Sequence, residues 1–328
     1  MRKIAYKSLA DITGVATVSD FNRRVKEGNI RDIINVTEVL QARKIASIAD
    51  EICERGTVRV VLIAGPSSSG KTTFSKRLSV QLMAVGLKPV ALSTDDYFVD
   101  RHITPKDEDG NYDFESLYAV DLDLLGEQLN ALVGSDSQAP KPVRLPRFNF
   151  ETGLREWRSE PLMCDADTVL VIEGIHALNP LLTTSVAESA KYRIFCSVLS
   201  DVSLDGHQVI STADNRLLRR ILRDSQYRGF SAEETIRRWP SVRRGEEKWI
   251  MPFIGQADVQ FDSSFLYELA VMKNKLKVIL QDVSKTSAEY DTAQRLMGYI
   301  DYFKAIPDKA IPPTSLLREF FGGSSYHY

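Results

Sequence analysis

The sequence predicts an α/β fold with a mainly parallel five-stranded sheet, helices on both faces of the sheet and a helical C-terminal extension. Three observations predict it: short apolar runs typical of buried parallel strands, amphipathic stretches between them, and a glycine-rich segment after the first run. The length of 328 residues suffices for one large domain or two modest ones. We divide the chain into a helical lead-in over 1–56, a central domain over 57–282 and the extension over 283–328.

Each predicted strand is an apolar run bounded by turn or polar residues. The strands are predicted over 58–63, 88–93, 168–172, 192–199 and 257–261. Helices are predicted over 37–55, 71–85, 122–133 and 215–225 and from about residue 265, with Thr37 as the N-cap of the first. Residues 101–120 are predicted as a long loop and residues 143–157 as a short hairpin. Phe320 and Phe321 indicate that the C-terminal tail packs against the protein.

Composition excludes several classes of protein. Lys and Arg total 42 and Asp and Glu total 44, a net charge of -2, so no global field attracts nucleic acid or an anionic membrane. The three cysteines lack C-x-x-C spacing, which argues against a disulfide framework or a zinc site. No signal core or membrane-spanning apolar run is present, so we expect a soluble cytoplasmic protein without a membrane or DNA partner.

Gly65, Gly70, Lys71 and Thr72 fit the pattern G-x-x-x-x-G-K-[ST] of a phosphate-binding loop. In such a loop backbone N–H groups surround the phosphates, the lysine reaches the β- and γ-phosphates, and the hydroxyl ligates Mg²⁺. The pattern lies between a predicted strand and a predicted helix, the context that it requires. The sequence therefore predicts a P-loop NTPase fold that binds ATP and Mg²⁺ through Gly65, Ser67, Ser68, Ser69, Gly70, Lys71, Thr72 and Thr73.

Acidic residues follow two further predicted strands. Asp95 and Asp96 follow the second strand and Glu173 ends the third, at the sheet edge where open α/β proteins bind ligands. Glu173 is the expected second Mg²⁺ contact, with a plain strand-end glutamate as the alternative. Asp95 is placed to accept a proton from an incoming hydroxyl. His176 contacts substrate or phosphate in one interpretation and is structural in the other.

The predicted helix over 215–225 carries arginines on one face, namely Arg216, Arg219, Arg220 and Arg223, with Arg228 just beyond. We predict that this face bears no acids and binds a polyanion as an Arg-rich lid, with a solvated basic face as the alternative. Basic and aromatic residues continue over 226–250, including Trp239 and Trp249, which also suits a nucleotide-dependent RNA-binding or regulatory protein. Together the parts indicate phosphoryl transfer to a small alcohol. A GTPase is less favoured, because no guanine-reading N-K-x-D element is present.

Six segments, in this order, resemble the uridine kinase and phosphoribulokinase family: GPSSSGKTTFSKRL, LSTDDYF, YDFESLYAVD, LPRFNFETGLR, VLVIEGIHALNP and DNRLLRRILRDSQYRG. The resemblance covers about residues 35–325 and is closest to bacterial uridine kinase-like proteins whose kinase domain follows a threonyl-tRNA-synthetase-like region. We expect this chain to lack most of that longer N-terminal region. The resemblance implies an ATP- and Mg²⁺-dependent kinase acting on the 5′-hydroxyl of uridine or cytidine in pyrimidine salvage.

Roles for individual residues follow from the motifs and the resemblance together. The predicted catalytic residues are Asp95 as the base, Lys71, Arg219 and Arg223. Arg216, Arg220 and Arg228 join the ATP site, and Thr72, Glu173 and Asp95 are the predicted metal contacts. The predicted acceptor contacts are Asp96, Tyr97, Phe114, Glu115, Phe148, Phe150 and His176.

The sequence does not identify the phosphate acceptor. Glu115 stands where the family more usually has Asp, and Phe148 and Gly153 stand where the uridine-cytidine enzymes have the Tyr and His that contact the pyrimidine. Phe148 and Phe150 either fill a core or stack on a planar ring. A phosphorylated sugar or another small alcohol, as in phosphoribulokinase, is the alternative acceptor. A nucleoside is the expected small-molecule partner, RNA has less support, and a homo-oligomer is left open.

Overall fold

The computed structural model describes residues 9–108, 110–133, 141–204 and 209–327. The chain forms two compact units, each discontinuous in sequence. The helical unit comprises the described parts of Met1–Lys44, Val198–Pro240 and Asp262–Tyr328, and the sheet unit comprises those of Ile45–Ser197 and Ser241–Phe261. The limits of these two units differ from the domain boundaries predicted after residues 56 and 282. Those domain boundaries stay a prediction.

The central sheet has five strands. The strands of the described residues are, in chain order, β1 (Val60–Ala64), β2 (Lys88–Ser93), β3 (Pro146–Asn149), β4 (Leu154–Trp157), β5 (Thr168–Glu173), β6 (Lys191–Ser197), β7 (Val202–Ser203), β8 (Val209–Ile210) and β9 (Val259–Asp262). The sheet order is β2-β5-β1-β6-β9. β1 pairs in parallel with β5 and β6, and β5 pairs in parallel with β2. The predicted mainly parallel five-stranded sheet of a P-loop fold is confirmed.

The apolar runs form the two most enclosed strands because they offer no polar face to water. All five residues of β1 are buried, as are all residues of β5 before Glu173. Leu62 and Ile172 pack in one core cluster with Leu125 and Leu129, which lie on the helix predicted over 122–133. Strands buried on both faces are expected at the centre of a parallel sheet, and their position fixes the site at their carboxyl ends.

Strand register brings the ends of three strands to one level. Glu173 at the end of β5 pairs with Ile63 of β1 on one side and with Ser93 of β2 on the other. The phosphate loop follows β1 directly, and the Asp95–Asp96 pair follows β2 directly. Segments that are far apart in sequence therefore meet at this edge.

The helices of the described residues are α1 (Leu9–Thr13), α2 (Val18–Lys26), α3 (Ile30–Arg55), α4 (Lys71–Ala84), α5 (Leu122–Val133), α6 (Thr212–Tyr227), α7 (Ala232–Trp249), α8 (Glu268–Gln281), α9 (Tyr290–Asp301) and α10 (Arg318–Phe321). Each predicted helix is present, and α4 and α5 match their predicted ranges to within one residue. Within the described part of the chain, no helix is both long enough and apolar enough to cross a membrane.

The helices differ from the predictions at two places. Thr37 is not an N-cap, because α3 already begins at Ile30 and Thr37 Oγ1 donates a hydrogen bond back to the Ile33 carbonyl at 2.7 Å. The 26-residue helix α3 extends upstream because Ile33 and Ile34 prolong its buried stripe. The helix α7 was not predicted, since it is polar and contains Pro240 in its interior, which normally signals a helix end.

The predicted hairpin and the packed tail are both confirmed. β3 and β4 pair antiparallel, with Phe148 opposite Arg155. In the helical unit, Phe320 and Phe321 on α10 are buried, and Lys275 Nζ donates a hydrogen bond to the Phe321 carbonyl at 2.8 Å. The tail is thus anchored by its two phenylalanines.

Candidate active site

The phosphate loop between β1 and α4 has the close packing that its glycines require. A Cβ atom on Gly65 would lie 1.9 Å from the Cys196 carbonyl oxygen, so only glycine allows the loop to leave β1 beside β6. Gly70 (φ 88°) and Ser68 (φ 58°) both adopt the left-handed region, which is uncommon for a residue other than glycine. These residues allow the loop to follow the tightly curved path that a phosphate-binding loop requires.

Polar groups in this loop are arranged to receive an anion. The Lys71 side chain is buried, and its Nζ donates a hydrogen bond to the Pro66 carbonyl at 3.1 Å. The buried Ser68 and Ser69 hydroxyls have no hydrogen-bond partner among the described residues. The first N–H groups of α4 lack intrahelical acceptors, as at any helix start, and carry the positive end of the helix dipole. These features fit a bound polyphosphate.

Glu173 links the phosphate loop to the segment after β2. Its Oε1 accepts a hydrogen bond from Thr72 Oγ1 and another from Ser93 Oγ, both at 3.4 Å. The Ser93 hydroxyl in turn accepts a hydrogen bond from the Asp95 backbone N–H at 3.3 Å. A carboxylate and a hydroxyl side by side are oxygen donors of the kind that Mg²⁺ prefers. Thr72 and Glu173 therefore suit one side of a magnesium site, with Asp95 beyond Ser93.

A second close contact fixes the residue that precedes Asp95. A Cβ atom on Gly174 would lie 1.8 Å from Thr94 Oγ1, so the chain after β5 packs tightly against the chain after β2. Thr94 is fully buried. Asp95 thus follows two residues, Ser93 and Thr94, that are each held against the Glu173–Gly174 segment.

Asp96 and Tyr97, which follow Asp95, both contact other side chains of the sheet unit. Asp96 forms an ion pair of 2.9 Å with Arg158, which follows β4. Tyr97 is buried, its hydroxyl donates a hydrogen bond to Gln128 Oε1 at 2.9 Å, and burial raises the pKa of its phenol. The predicted acceptor contact by Tyr97 is corrected: its ring belongs to the core, and its one polar atom is already bonded.

A cluster of aromatic rings joins the 112–114 segment to the hairpin. The Phe98 ring contacts Phe114 and Phe148, each with ring centroids 5.6 Å apart, and Phe148 contacts Phe150 at 5.1 Å. Phe148 is only 3% exposed, which favours the core-filling interpretation for this residue, whereas Phe150 is 60% exposed. Phe150 and the half-buried Phe114 are therefore the rings open to a planar ligand.

His176 is enclosed within the sheet unit. Its side chain is 1% exposed, and its ring meets the Trp249 ring edge to face at 6.3 Å. Burial lowers the pKa of His176 to about 4, although the nearby backbone of Ser116 and Glu115 acts in the opposite direction. Neither ring nitrogen completes a hydrogen bond with the described residues. The imidazole is therefore neutral at pH 7, and its burial favours the structural interpretation over direct substrate contact.

The arginine-rich helix α6 is not the acid-free basic face that we predicted. Asp224 lies on the same helix and pairs with Arg220 at 3.3 Å, Arg223 at 2.7 Å and Arg228 at 3.6 Å. The Arg216 guanidinium lies 5.4 Å from the centre of the Trp239 ring. An acid at the centre of the cluster lowers the repulsion among the arginines. Phosphate contact by Arg216, Arg220, Arg223 and Arg228 stays a prediction.

Arg219 requires a separate correction, because it is completely buried. It forms an ion pair with the buried Glu268 of α8 and donates a hydrogen bond to the Ser263 carbonyl at 2.8 Å. The Phe320 ring lies 4.9 Å from its guanidinium carbon. Its donors are thus engaged inside the helical unit, and Arg219 is a structural residue where the sequence predicted a catalytic one.

Sequence reasoning missed three residues of the site. Ser93 escaped notice as an ordinary strand residue, although its place in register with Glu173 is implied by the parallel pairing. Arg158 lies after the hairpin, and the sequence showed only a basic residue next to the predicted hairpin. Gly245, on the unpredicted helix α7, packs against Glu115, a contact between distant segments that no local pattern reveals.

Comparisons with known proteins show which family this chain resembles in sequence. The profile of the Phosphoribulokinase / Uridine kinase family matches residues 60–267. The uridine kinase of Bacillus licheniformis is 29% identical over 225 residues, covering 68% of this chain and 95% of that protein. The uridine kinase of Halobacterium salinarum is 26% identical over 234 residues, covering 70% of this chain and 92% of that protein. The uridine kinase of Staphylococcus epidermidis is 32% identical over 203 residues, covering 61% of this chain and 85% of that protein.

The family profile spans the phosphate loop, the acids after β2 and β5, the hairpin and the arginine-bearing helix α6. It thus covers more than half of the chain. The chain belongs to the phosphoribulokinase / uridine kinase family of P-loop kinases.

Proposed function

We propose that this protein is an ATP- and Mg²⁺-dependent nucleoside kinase that phosphorylates the 5′-hydroxyl of a ribonucleoside, uridine or cytidine, in pyrimidine salvage in the cytoplasm. The observation that carries the proposal is the hydrogen-bonded connection from Thr72 through Glu173 and Ser93 to the Asp95 backbone. It connects a phosphate-binding element to a carboxylate of the type that a kinase uses as a base. Uridine kinases at about 30% identity support the choice of acceptor.

In this proposal the phosphate loop holds and neutralises the triphosphate. Lys71 transfers its hydrogen bond from the Pro66 carbonyl to phosphate oxygens, and the N–H groups at the start of α4 bind the β-phosphate. Thr72, Glu173 and Asp95 would hold Mg²⁺, which supplies further neutralisation of the developing charge. Phosphoryl transfer has little covalent chemistry for the protein to perform, so such positioning is the main contribution of these residues.

Asp95 is the proposed general base. Its carboxylate accepts the proton of the acceptor hydroxyl, the hydroxyl oxygen bonds to the γ-phosphorus, and the bond from that phosphorus to the bridging oxygen of ADP breaks. Ser93 and Thr94 position the Asp95 backbone against the Glu173–Gly174 segment. Asp96 is held by Arg158 and is therefore the less suitable base.

The acceptor is proposed to lie between Glu115 and the open rings. Glu115 accepts hydrogen bonds from the ribose hydroxyls, and Phe114 and Phe150 contact the planar base. The half-buried position of Glu115 and the 60% exposure of Phe150 support these roles. Aromatic contact without polar readers gives weak discrimination among bases, because rejecting a wrong base strongly requires hydrogen-bonding groups that it would leave unpaired.

One observation favours a second acceptor, a phosphorylated sugar or another anionic alcohol. A Cβ atom on Gly153 would lie 2.7 Å from Arg101 Nε, so the guanidinium of Arg101 fills the space of a base-reading side chain there. Arg101 also donates a hydrogen bond of 2.5 Å to the Phe150 carbonyl. A cation beside the exposed ring is suited to an anionic acceptor.

A panel assay tests the proposal. The purified protein is incubated with ATP, Mg²⁺ and, separately, uridine, cytidine, purine nucleosides and sugar phosphates, and ADP formation is coupled to product analysis. We expect turnover with uridine or cytidine above all others. Turnover with sugar phosphates alone would support the second acceptor. Salt-dependent RNA binding that survives Lys71→Ala, without turnover of any small acceptor, would support a regulatory or RNA-binding role instead.

A further inference from the structure

Gly245 on α7 lies against the side chain of Glu115. A Cβ atom on Gly245 would lie 2.5 Å from Glu115 Cβ and 3.2 Å from Glu115 Cγ. Real Cβ atoms do not approach other heavy atoms at 2.5 Å, so an alanine here would displace either the helix or the glutamate. The absence of a side chain at this position therefore determines where the Glu115 side chain can lie.

The next turn of α7 contacts the same segment of the chain. Trp249 lies four residues after Gly245, on the same helix face. Its ring meets the Tyr118 ring edge to face at 5.9 Å and the His176 ring edge to face at 6.3 Å. The C-terminal half of α7 thus packs along the 115–118 segment at two successive turns.

The backbone of Glu115 is fixed independently of α7. Its N–H donates a hydrogen bond of 3.0 Å to Asp113 Oδ1, and the Ser116 N–H donates to the Asp113 carbonyl at 3.3 Å. The buried His176 ring lies near the backbone of both Glu115 and Ser116. Because its backbone is held from these sides, an added side chain at position 245 would displace the Glu115 side chain and strain the backbone hydrogen bonds that hold this segment.

We propose that Gly245 is a positioning residue for the phosphate acceptor, because it allows α7 to hold the Glu115 carboxylate in the orientation that meets the acceptor hydroxyls. The proposal rests on the proposed function, which assigns Glu115 to the acceptor. The helix α7 then contributes to acceptor specificity, although Gly245 itself does not contact the substrate. A glycine inside a helix costs about 1 kcal/mol relative to alanine, so in the absence of Glu115 the helix would favour alanine.

Gly245→Ala tests the proposal against Gly126→Ala as a matched control. Gly126 also lies inside a helix, α5, and a Cβ atom there would meet nothing within 4 Å. We expect Gly245→Ala to raise the KM for the acceptor about 10- to 100-fold, the scale of a misplaced contact, while the KM for ATP stays within about twofold. Gly126→Ala should leave both values unchanged.

A double-mutant cycle separates positioning from a general packing defect. In a Glu115→Gln background, Gly245→Ala should add little further effect on the acceptor KM, because both changes act on the same carboxylate. Independent, additive effects would overturn the proposal, as would equal increases in the KM for ATP and for the acceptor, or an unchanged acceptor KM.

A second measurement needs no substrate, so it keeps the test separate from the proposed function. Amide hydrogen exchange over residues 113–118 should accelerate in Gly245→Ala and remain as in the wild type in Gly126→Ala. Unchanged exchange in both variants would overturn the contact between α7 and the Glu115 segment. If exchange accelerates but no acceptor is phosphorylated by the wild-type protein, the contact stands, and the assignment of Glu115 to an acceptor is overturned together with the proposal.

Discussion

At the scale of single residues, Glu173 joins two segments of the site. Its Oε1 atom accepts hydrogen bonds from Thr72 in the phosphate loop and from Ser93 at the end of β2. A strand-end acid was expected from the sequence, but its second partner was not. Because Ser93 also holds the Asp95 backbone, a change at Glu173 should be transmitted to the proposed base as well as to the proposed metal.

Asp95→Asn isolates the role of the base. An amide has nearly the same shape but cannot accept the proton, so we expect kcat to fall by about 10² or more while ATP affinity stays nearly unchanged. Steady-state kinetics and ATP titration measure the two effects. Asp96→Asn is the matched comparison, and near-normal turnover of Asp95→Asn with a large loss in Asp96→Asn would reassign the base to Asp96.

The buried His176 should make the free energy of unfolding depend on pH. Burial lowers its pKa from 6.5 to about 4, so below pH 6.5 the unfolded chain binds a proton that the folded chain does not. The free energy of unfolding should therefore fall as the pH drops from 6.5 towards 4, by about 3 kcal/mol for the full shift.

Urea denaturation at several pH values measures this dependence. His176→Gln should lose the decrease attributable to His176, so its stability should change less between pH 6.5 and 4 than that of the wild type. His102→Gln is the control, because His102 is exposed. Parallel pH profiles for the wild type and His176→Gln would contradict the assignment of a buried neutral imidazole.

At the scale of elements, α6 shows how a helix that looks basic in sequence is neutralised within the fold. Asp224 pairs with the arginines four residues before and after it, and Glu268 of α8 pairs with Arg219. The Asp224 pairing could have been predicted from its spacing to Arg220 and Arg228. The Glu268 pairing could not, because it joins two helices that are distant in sequence.

Arg219→Met tests the structural assignment of that arginine. The change leaves the Glu268 carboxylate buried without its cation, so we expect the free energy of unfolding to fall by about 3–5 kcal/mol, and adding Glu268→Leu to restore most of it. Arg223→Met is the control: Asp224 keeps Arg220 and Arg228, so stability should change by about 1 kcal/mol or less, with the loss appearing in kcat/KM. A stable but inactive Arg219→Met protein would return Arg219 to the catalytic residues.

Local patterns predicted most elements, and the errors have local causes. Continuous apolar runs identified the sheet strands, and an apolar face identified α5, because burial directly sets those patterns. The helix α7 was missed because Pro240 and a largely polar sequence conceal a helix whose packing face includes Gly245 and Trp249. Thr37 has the residue type of a cap, but the buried Ile33 and Ile34 carry the helix past it.

At the scale of the whole molecule, the sequence predicted the chemical groups of the site better than their partners. Lys71, Thr72, Asp95 and Glu173 were identified because each follows or ends a recognisable strand. Their convergence follows from the parallel register of three strands, which the strand pattern alone leaves undetermined. Tyr97 and Phe148 were assigned to the acceptor from their place in motifs, whereas their burial depends on how the hairpin and α5 pack, and that is visible only in three dimensions.

The most direct test of a nucleoside kinase is to identify the phosphorylated product by ³¹P NMR during turnover of ATP, Mg²⁺ and uridine. We expect one molecule of uridine 5′-monophosphate for each ADP, with the phosphorus coupled to the 5′-protons of the ribose, and no product with Lys71→Ala. Conversion of ATP to ADP and inorganic phosphate without any phosphorylated nucleoside would contradict it.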